Sequence, residues 1–208
     1  MSKILLINGS PNQKGCTNAA LEEMVPVFAA AGVESEILWL GNKPMQDCIA
    51  CGSCRKAGKC VFDDLVNRTA GRLDEFDGMV IGSPVYYSGA TGRVTSFLDR
   101  LFFSAPKQKF TGKLGAAVVS CRRAGSTATF QRLNQYFLIQ NMVVVGSQYW
   151  NEVHGNSTDE VAKDEEGRQS LRTLAQNMVW LLRCKEAGEK AGISLPDYEP
   201  RVATNFIR

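Results

Sequence analysis

Five short runs in this chain each contain a continuous apolar stretch, and that continuity constrains the fold more than any other feature. They lie at residues 3–8, 33–40, 78–83, 114–120 and 141–148. A strand with one wet face alternates apolar and polar residues, whereas a strand covered on both faces does not. Between the runs, apolar residues recur at helical spacing. Ala20, Leu21, Met24, Val27, Phe28 and Ala31 form one such face, and Val94, Phe97, Leu98, Leu101 and Phe102 a second. Phe130, Leu133 and Phe137 form a third, and Leu171, Leu174, Met178, Leu181 and Leu182 the last and longest. The alternation predicts an α/β domain doubly wound around a five-stranded parallel sheet. Pro26 falls inside the first helical pattern. An interior proline costs about 3 kcal/mol, so a kink is expected there.

Four of the seven cysteines follow the second run: Cys48, Cys51, Cys54 and Cys60, spaced C-x2-C-x2-C-x5-C. Crowded thiolates repel one another unless a cation, a proton or a disulfide neutralises them. Zinc sites usually present two separated ligand pairs. Consecutive C-x2-C steps resemble instead the iron–sulfur runs of bacterial ferredoxins, although the last gap here is longer and no proline follows Cys60. Gly52, Ser53 and Gly58 let the backbone wrap closely around a cluster. Spacing alone leaves three readings open: a 4Fe–4S cluster, free or disulfide-forming thiols, and zinc.

The loop after the first run reads Gly9-Ser10-Pro11-Asn12-Gln13-Lys14-Gly15-Cys16-Thr17-Asn18. In an open parallel sheet, ligands bind at the carboxyl ends of strands, where helix N-termini offer free N–H groups. The small polar residues here suit an anion. Cys16 stands where a Walker A loop needs lysine, and the pattern G-x-G-x-x-G is absent. The second run ends Trp39-Leu40-Gly41, with no carboxylate for a ribose. These residues favour a mononucleotide phosphate over a tightly bound dinucleotide. After the third run come Pro84, Val85, Tyr86, Tyr87 and Ser88, whose rings and amides suit a flat heterocycle. Cys121-Arg122-Arg123-Ala124-Gly125-Ser126 closes the fourth. Three such loops at one sheet edge make a pocket for a planar ligand.

The segments Gly9-Ser10-Pro11…Gly15-Cys16-Thr17, Ser83-Pro84-Val85-Tyr86-Tyr87 and Phe97-Leu98-Asp99-Arg100 resemble the NAD(P)H-dependent FMN reductases of the flavodoxin-like superfamily. The resemblance runs over most of the chain, residues 2–184. The cysteine insert is similar to that of the iron–sulfur flavoprotein branch, whose compact motif holds a 4Fe–4S cluster. Arg122-Arg123-Ala124-Gly125-Ser126 and Asn177-Met178-Val179-Trp180 are similar to segments of other oxidoreductases of this superfamily.

The resemblance implies strand order 2-1-3-4-5 with helices on both faces. It implies an FMN-binding domain over residues 1–187, a Cys-rich insert at 44–62 and a C-terminal arm at 188–208. Ser10, Asn12, Thr17 and Asn18, with the backbone N–H of Cys16, would bind the FMN phosphate. Pro84, Val85, Tyr86, Tyr87 and Ser88 would border the isoalloxazine, and Arg122 and Gly125 its pyrimidine edge. Cys48, Cys51, Cys54 and Cys60 would ligate the cluster. No catalytic side chain is implied, because the chemistry centres on the flavin. NAD(P)H would be the co-substrate, and a quinone, an azo or nitro compound or a ferredoxin-like protein the acceptor. A non-enzymatic flavodoxin-type carrier and a thiol redox sensor are the alternatives. A homodimer or homotetramer is expected.

The remaining features exclude more than they add. A net charge of +3 makes no case for nucleic acid or an anionic membrane. No apolar run approaches the roughly 20 residues that span a bilayer. The apolar stretch 4–7 falls short of a signal-peptide core, so a cytoplasmic location is expected, where thiols stay reduced. His154, the only histidine, reads as structural or exposed. The acidic residues between Asp159 and Glu166 suit the start of a helix. Cys121 and Cys184 read as packing. No Ser–His–Asp set or convincing carboxylate pair supports a hydrolase.

Overall fold

A computed structural model describes residues 1–207. Arg208, the last residue of the expected arm, lies outside the described residues. The chain runs β1 (Lys3–Asn8), α1 (Cys16–Glu22), α2 (Val25–Ala30), β2 (Glu34–Trp39), α3 (Cys54–Ala57) and α4 (Leu65–Gly71). It continues through β3 (Gly78–Pro84), α5 (Gly92–Ser104), β4 (Leu114–Cys121), α6 (Ser126–Ile139) and β5 (Val143–Val144). The last elements are β6 (Glu152–His154), α7 (Thr158–Val161) and α8 (Glu165–Lys190), after which no helix or strand forms up to residue 207.

The strands form one parallel sheet in the order β2-β1-β3-β4-β5, with β6 also paired to β4. Alternate residues of the central strands feed two cores. Leu5, Ile7, Met79, Ile81, Ala117 and Val119 pack with Val66, Phe97, Leu101, Leu133 and Phe137 of α4, α5 and α6. Ile4, Leu6, Val80, Ala116 and Val118 pack with Leu21, Phe28, Leu171, Leu174 and Met178 of α1, α2 and α8. Every residue of β4 is buried, which is why its sequence is apolar without alternation. The strand order reverses between β1 and β3, and the crevice at their carboxyl ends is where such sheets take ligands.

Two expectations change. The run at 141–148 does not form one strand. Val145 N–H bonds Gly115 O at 2.9 Å, and the chain then leaves the sheet. It returns at Asn151, whose carbonyl accepts from Val119 N–H at 3.0 Å and whose side-chain amide donates to Ala117 O at 3.1 Å. β6 then continues along the upper half of β4. Gly146, Ser147 and Gln148 carry the chain out of the sheet, Tyr149 and Trp150 stay about half exposed against each other, and Asn151 restores the ladder with its side chain. At Pro26 the helix breaks rather than kinks. α1 ends at Glu22 and α2 begins at Val25, so Pro26 sits in a first turn where its missing N–H has no helical partner to lose. Among the described residues, no helix is long and apolar enough to cross a membrane.

Candidate functional site

Asn8 ends β1 as a fully buried amide, and the loop that follows is organised around it. Its Oδ1 accepts from Ser10 N–H at 3.0 Å, and its Nδ2 donates to Gln13 O at 3.0 Å and Asn18 Oδ1 at 3.2 Å. Ser10 Oγ accepts from Asn12 N–H at 3.1 Å, and the Thr17 and Ser120 hydroxyls meet at 2.8 Å. The side chains of Ser10, Thr17 and Asn18 therefore brace the loop. Its backbone supplies the free donors. Gly15 caps α1 without a side-chain hydrogen bond, and the first turn holds no acidic residue. The orphan N–H groups of Cys16, Thr17 and Asn18 are the kind that receive phosphate.

The neighbouring loops close against this one. A Cβ on Gly9 would lie 1.8 Å from Val94 Cγ2 and 2.9 Å from Gly82 O, so only glycine fits between β3 and α5. Thr91, the N-cap of α5, donates from Oγ1 to Gly9 O at 3.0 Å and from its N–H to Ser83 Oγ at 3.1 Å. Tyr86 and Gly89 exchange backbone hydrogen bonds of 2.8 and 2.9 Å across a tight turn. Between them, Tyr87 and Ser88 take φ of +50° and +59°. Turns of this hand normally use Asn-Gly, and each left-handed non-glycine residue costs on the order of 1–3 kcal/mol. Strain of that kind clusters at ligand-binding loops. The Tyr87 ring is fully exposed and Tyr86 half exposed. Gly125 completes the edge at φ +87°, its Cα so close that a Cβ would stand 2.9 Å from Ser88 Cα. Pro84 and Val85 are partly buried beneath, and Arg122 is exposed at the rim.

The four cysteines of the insert line one shallow cavity with Gly52, Phe62, Arg100 and Phe103. Left-handed backbone at Ala50 (φ +53°), Gly52 and Gly58 turns the chain around it. Cys60 is fixed twice by Asn67, whose Oδ1 accepts from Cys60 N–H at 2.9 Å and whose Nδ2 donates to Cys60 O at 2.8 Å. Hydrogen bonds from the Ser53 hydroxyl and amide hold the Cys51 thiol below its ordinary pKa. Among the described residues, no three His, Cys, Asp or Glu side chains are arranged to hold a single metal ion. A cubane asks for a wider frame, with one thiolate on each iron. Four thiols on the wall of a common cavity fit that donor set.

Other candidates fall away from the crevice chemistry. His154 is exposed, its Nδ1 4.0 Å from Asp164 Oδ2, and that carboxylate is committed to capping α8. Burial pushes the Cys16 and Cys121 thiols up. Cys16 Sγ lies 3.7 Å from Gly155 O. Cys184 is an exposed residue of α8, not a buried one. Sequence reasoning passed over Asn8, Trp39, Thr91 and Ser120, whose contacts assemble the loops. Asn8 and Trp39 carried a signal, since each places a hydrogen-bonding side chain at the end of an apolar strand.

Residues 2–157 match the model of a family described as NADPH-dependent FMN reductase. An iron-sulfur flavoprotein of Methanocaldococcus jannaschii is 30% identical over 191 residues, covering 87% of this chain and 97% of that one. An iron-sulfur flavoprotein of Methanosarcina thermophila is 27% identical over 180 residues, covering 85% and 93%. Among solved structures, RosB with a bound 8-demethyl-8-formylriboflavin-5'-phosphate intermediate superposes with a TM-score of 0.67 at 15% identity, over 100% of this chain and 94% of that one. A flavodoxin from the domain Archaea superposes with a TM-score of 0.58 at 16% identity, over 88% and 99%. The two superpositions show the flavodoxin-like fold.

Proposed function

This chain belongs to the NADPH-dependent FMN reductase family, and from that premise we propose that it holds FMN in the three-loop crevice and a 4Fe–4S cluster on Cys48, Cys51, Cys54 and Cys60. It is an FMN-dependent oxidoreductase that draws hydride from NAD(P)H. Its electrons go to a quinone, an azo or nitro compound, or a ferredoxin-like protein. The observation that carries the reading is the span of α5. Its N-cap, Thr91, ties the crevice loops together, and Arg100, Phe103 and Ser104 near its other end line the cysteine cavity. Thr91 and Arg100 stand about 14 Å apart along the helix axis.

Bound FMN would supply two-electron and one-electron redox chemistry, and a cluster on the four cysteines one-electron chemistry. The chain orients. The free N–H groups of the first turn of α1 receive the phosphate, with Ser10, Asn12, Thr17 and Asn18 setting the loop's shape. Pro84, Val85 and Ser88 would border the flat ring, and Tyr86 and Tyr87 would offer their faces. Gly125 lets that loop approach, and Arg122 would reach the pyrimidine edge from the rim. No histidine or carboxylate stands in these loops, in keeping with chemistry that needs no side-chain nucleophile.

Ile49, Val61 and Phe103 expose apolar surface around the cysteine cavity, which supports a second copy covering it in a homodimer or homotetramer. Seven unpaired cysteines suit a reducing compartment and support a cytoplasmic location.

The test is anaerobic purification with quantification of FMN, iron and sulfide, followed by NADH and NADPH oxidation with a quinone. Bound FMN, matched iron and sulfide, and acceptor-dependent oxidation are expected. FMN without NAD(P)H oxidation would instead mark a non-enzymatic carrier. Iron-free protein with reversible disulfides would mark a thiol sensor. A colourless chain that takes up no FMN ends the reading.

A further inference from the structure

Arg100 is the one charged side chain buried to 1% exposure among the described residues, and nothing in the flavin crevice uses it. Every arm of its guanidinium is engaged by the cysteine insert. Nη1 and Nη2 hold Asp64 at 2.6 and 2.9 Å. Nη1 also donates to Gln46 O at 3.2 Å and Nη2 to Phe62 O at 3.3 Å. The Phe62 ring lies 5.1 Å from the guanidinium carbon. The remaining donor, Nε–H, points at Cys60 Sγ at 3.2 Å. A buried cation needs a partner, and Asp64 supplies one. Asp64 and the two carbonyls leave Nε–H free for the sulfur, and they fix its direction.

Resting on the cluster reading given above, we propose that Arg100 is a positioning residue that raises the cluster's reduction potential through this N–H···S hydrogen bond. Reduction adds one electron to a cluster whose thiolate ligands are already anionic. A donor aimed at one ligand stabilises the added charge more than the oxidised state. Because Asp64 cancels much of the guanidinium's charge at a distance, the local hydrogen bond carries the effect. A hydrogen bond to a charged group is worth on the order of a tenfold change in the reduction equilibrium, about 59 mV for one electron.

The experiment compares anaerobically reconstituted wild type with Arg100→Lys and with the double variant Arg100→Gln/Asp64→Asn. The double variant leaves no unpaired buried charge and keeps a capping side chain on α4. Iron and sulfide content, FMN content, urea unfolding and the midpoint potential from a dithionite titration followed by electron paramagnetic resonance are measured on each. Variants that keep FMN, fold and iron but titrate at lower potential are expected. A wild-type potential in cluster-bearing variants overturns the proposal. So does loss of iron from both variants with fold and FMN intact, which would make Arg100 an anchor of the loop and no more. A wild-type chain that takes up no iron sinks the cluster reading and this inference together. The first two outcomes need a wild type that holds its cluster, so the two failures are told apart.

Discussion

The indole N–H of Trp39 donates to the carbonyl oxygen of Ser10 at 2.8 Å, so the end of β2 holds the loop that follows β1. Trp39→Phe keeps most of the ring and removes the bond. A lost hydrogen bond of this kind is worth about 1 kcal/mol, so FMN affinity should fall about fivefold. Fluorescence titration of the apoprotein with FMN reads this directly. An unchanged dissociation constant would detach this loop from flavin binding.

Gly9 meets α5 so closely that Gly9→Ala must move Val94 or the backbone of β3. The substitution should cost about 3 kcal/mol, as overpacking of a rigid site does. Val94→Ala alone should cost about 2 kcal/mol. Combined, the two should be less damaging than their sum by at least about 1 kcal/mol, because the second removes the methyl that the first collides with. Urea unfolding of the two single variants and the double variant measures that coupling. Strict additivity would place the strain elsewhere.

Strain at Tyr87 and Ser88 should trade against function. Ser88→Gly removes a left-handed side chain but adds glycine's freedom to the unfolded chain. The net gain in apoprotein stability should be about 0.5 kcal/mol. Tyr87→Gly should give a similar gain and a larger loss of FMN affinity, since it also deletes the exposed ring. Thermal unfolding and FMN titration together decide the matter. Stabilised variants that bind FMN like wild type would show that the turn does not border the flavin.

Hydrogen bonds from Arg72, at 2.8 Å to each oxygen of Glu36, and a 2.9 Å contact from Lys3 hold the Glu36 carboxylate down to about 2 from its ordinary 4.5. Because the folded pKa is the lower one, this stabilisation is full above pH 4.5. It drains away as pH falls toward 2. The partly exposed site screens the pair, which leaves about 1–2 kcal/mol at neutral pH. Glu36→Gln should flatten that part of the stability curve between pH 4.5 and 2, measured by urea unfolding across the range. An unaltered slope would assign the acid sensitivity to other carboxylates.

β1 matches its expected bounds, and β3 and β4 run one residue past theirs, because burial on both faces leaves an uninterrupted apolar run. The fifth run misled because an apolar segment gives no sign that Asn151 will do a backbone's work with its side chain. Pro26 was legible as a disturbance but not as a break, since propensity cannot tell a kink from two helices meeting at a corner. The cysteine spacing placed all four thiols in one loop. It could not reveal that Arg100, 40 residues beyond Cys60, would be aimed at that sulfur. In the loop after β1 the sequence displayed small polar side chains but not which of their atoms are already engaged. Ser10 and Asn18 spend their side chains on the loop itself and Thr17 on Ser120 of β4, and the free donors belong to the backbone, which has no letter in the sequence.

The division of the fifth strand has a consequence for assembly. β5 spans two residues and β6 three, with an excursion between them, so that border of the sheet offers no continuous row of unpaired amides and carbonyls. The opposite border, β2, carries Glu34 and Glu36 within its six residues. Short, interrupted or charged margins discourage chains from extending one another's sheets. Copies of this molecule are thereby steered away from strand-to-strand stacking. Their association is left to helix and loop surfaces, where the geometry of each contact can be set residue by residue.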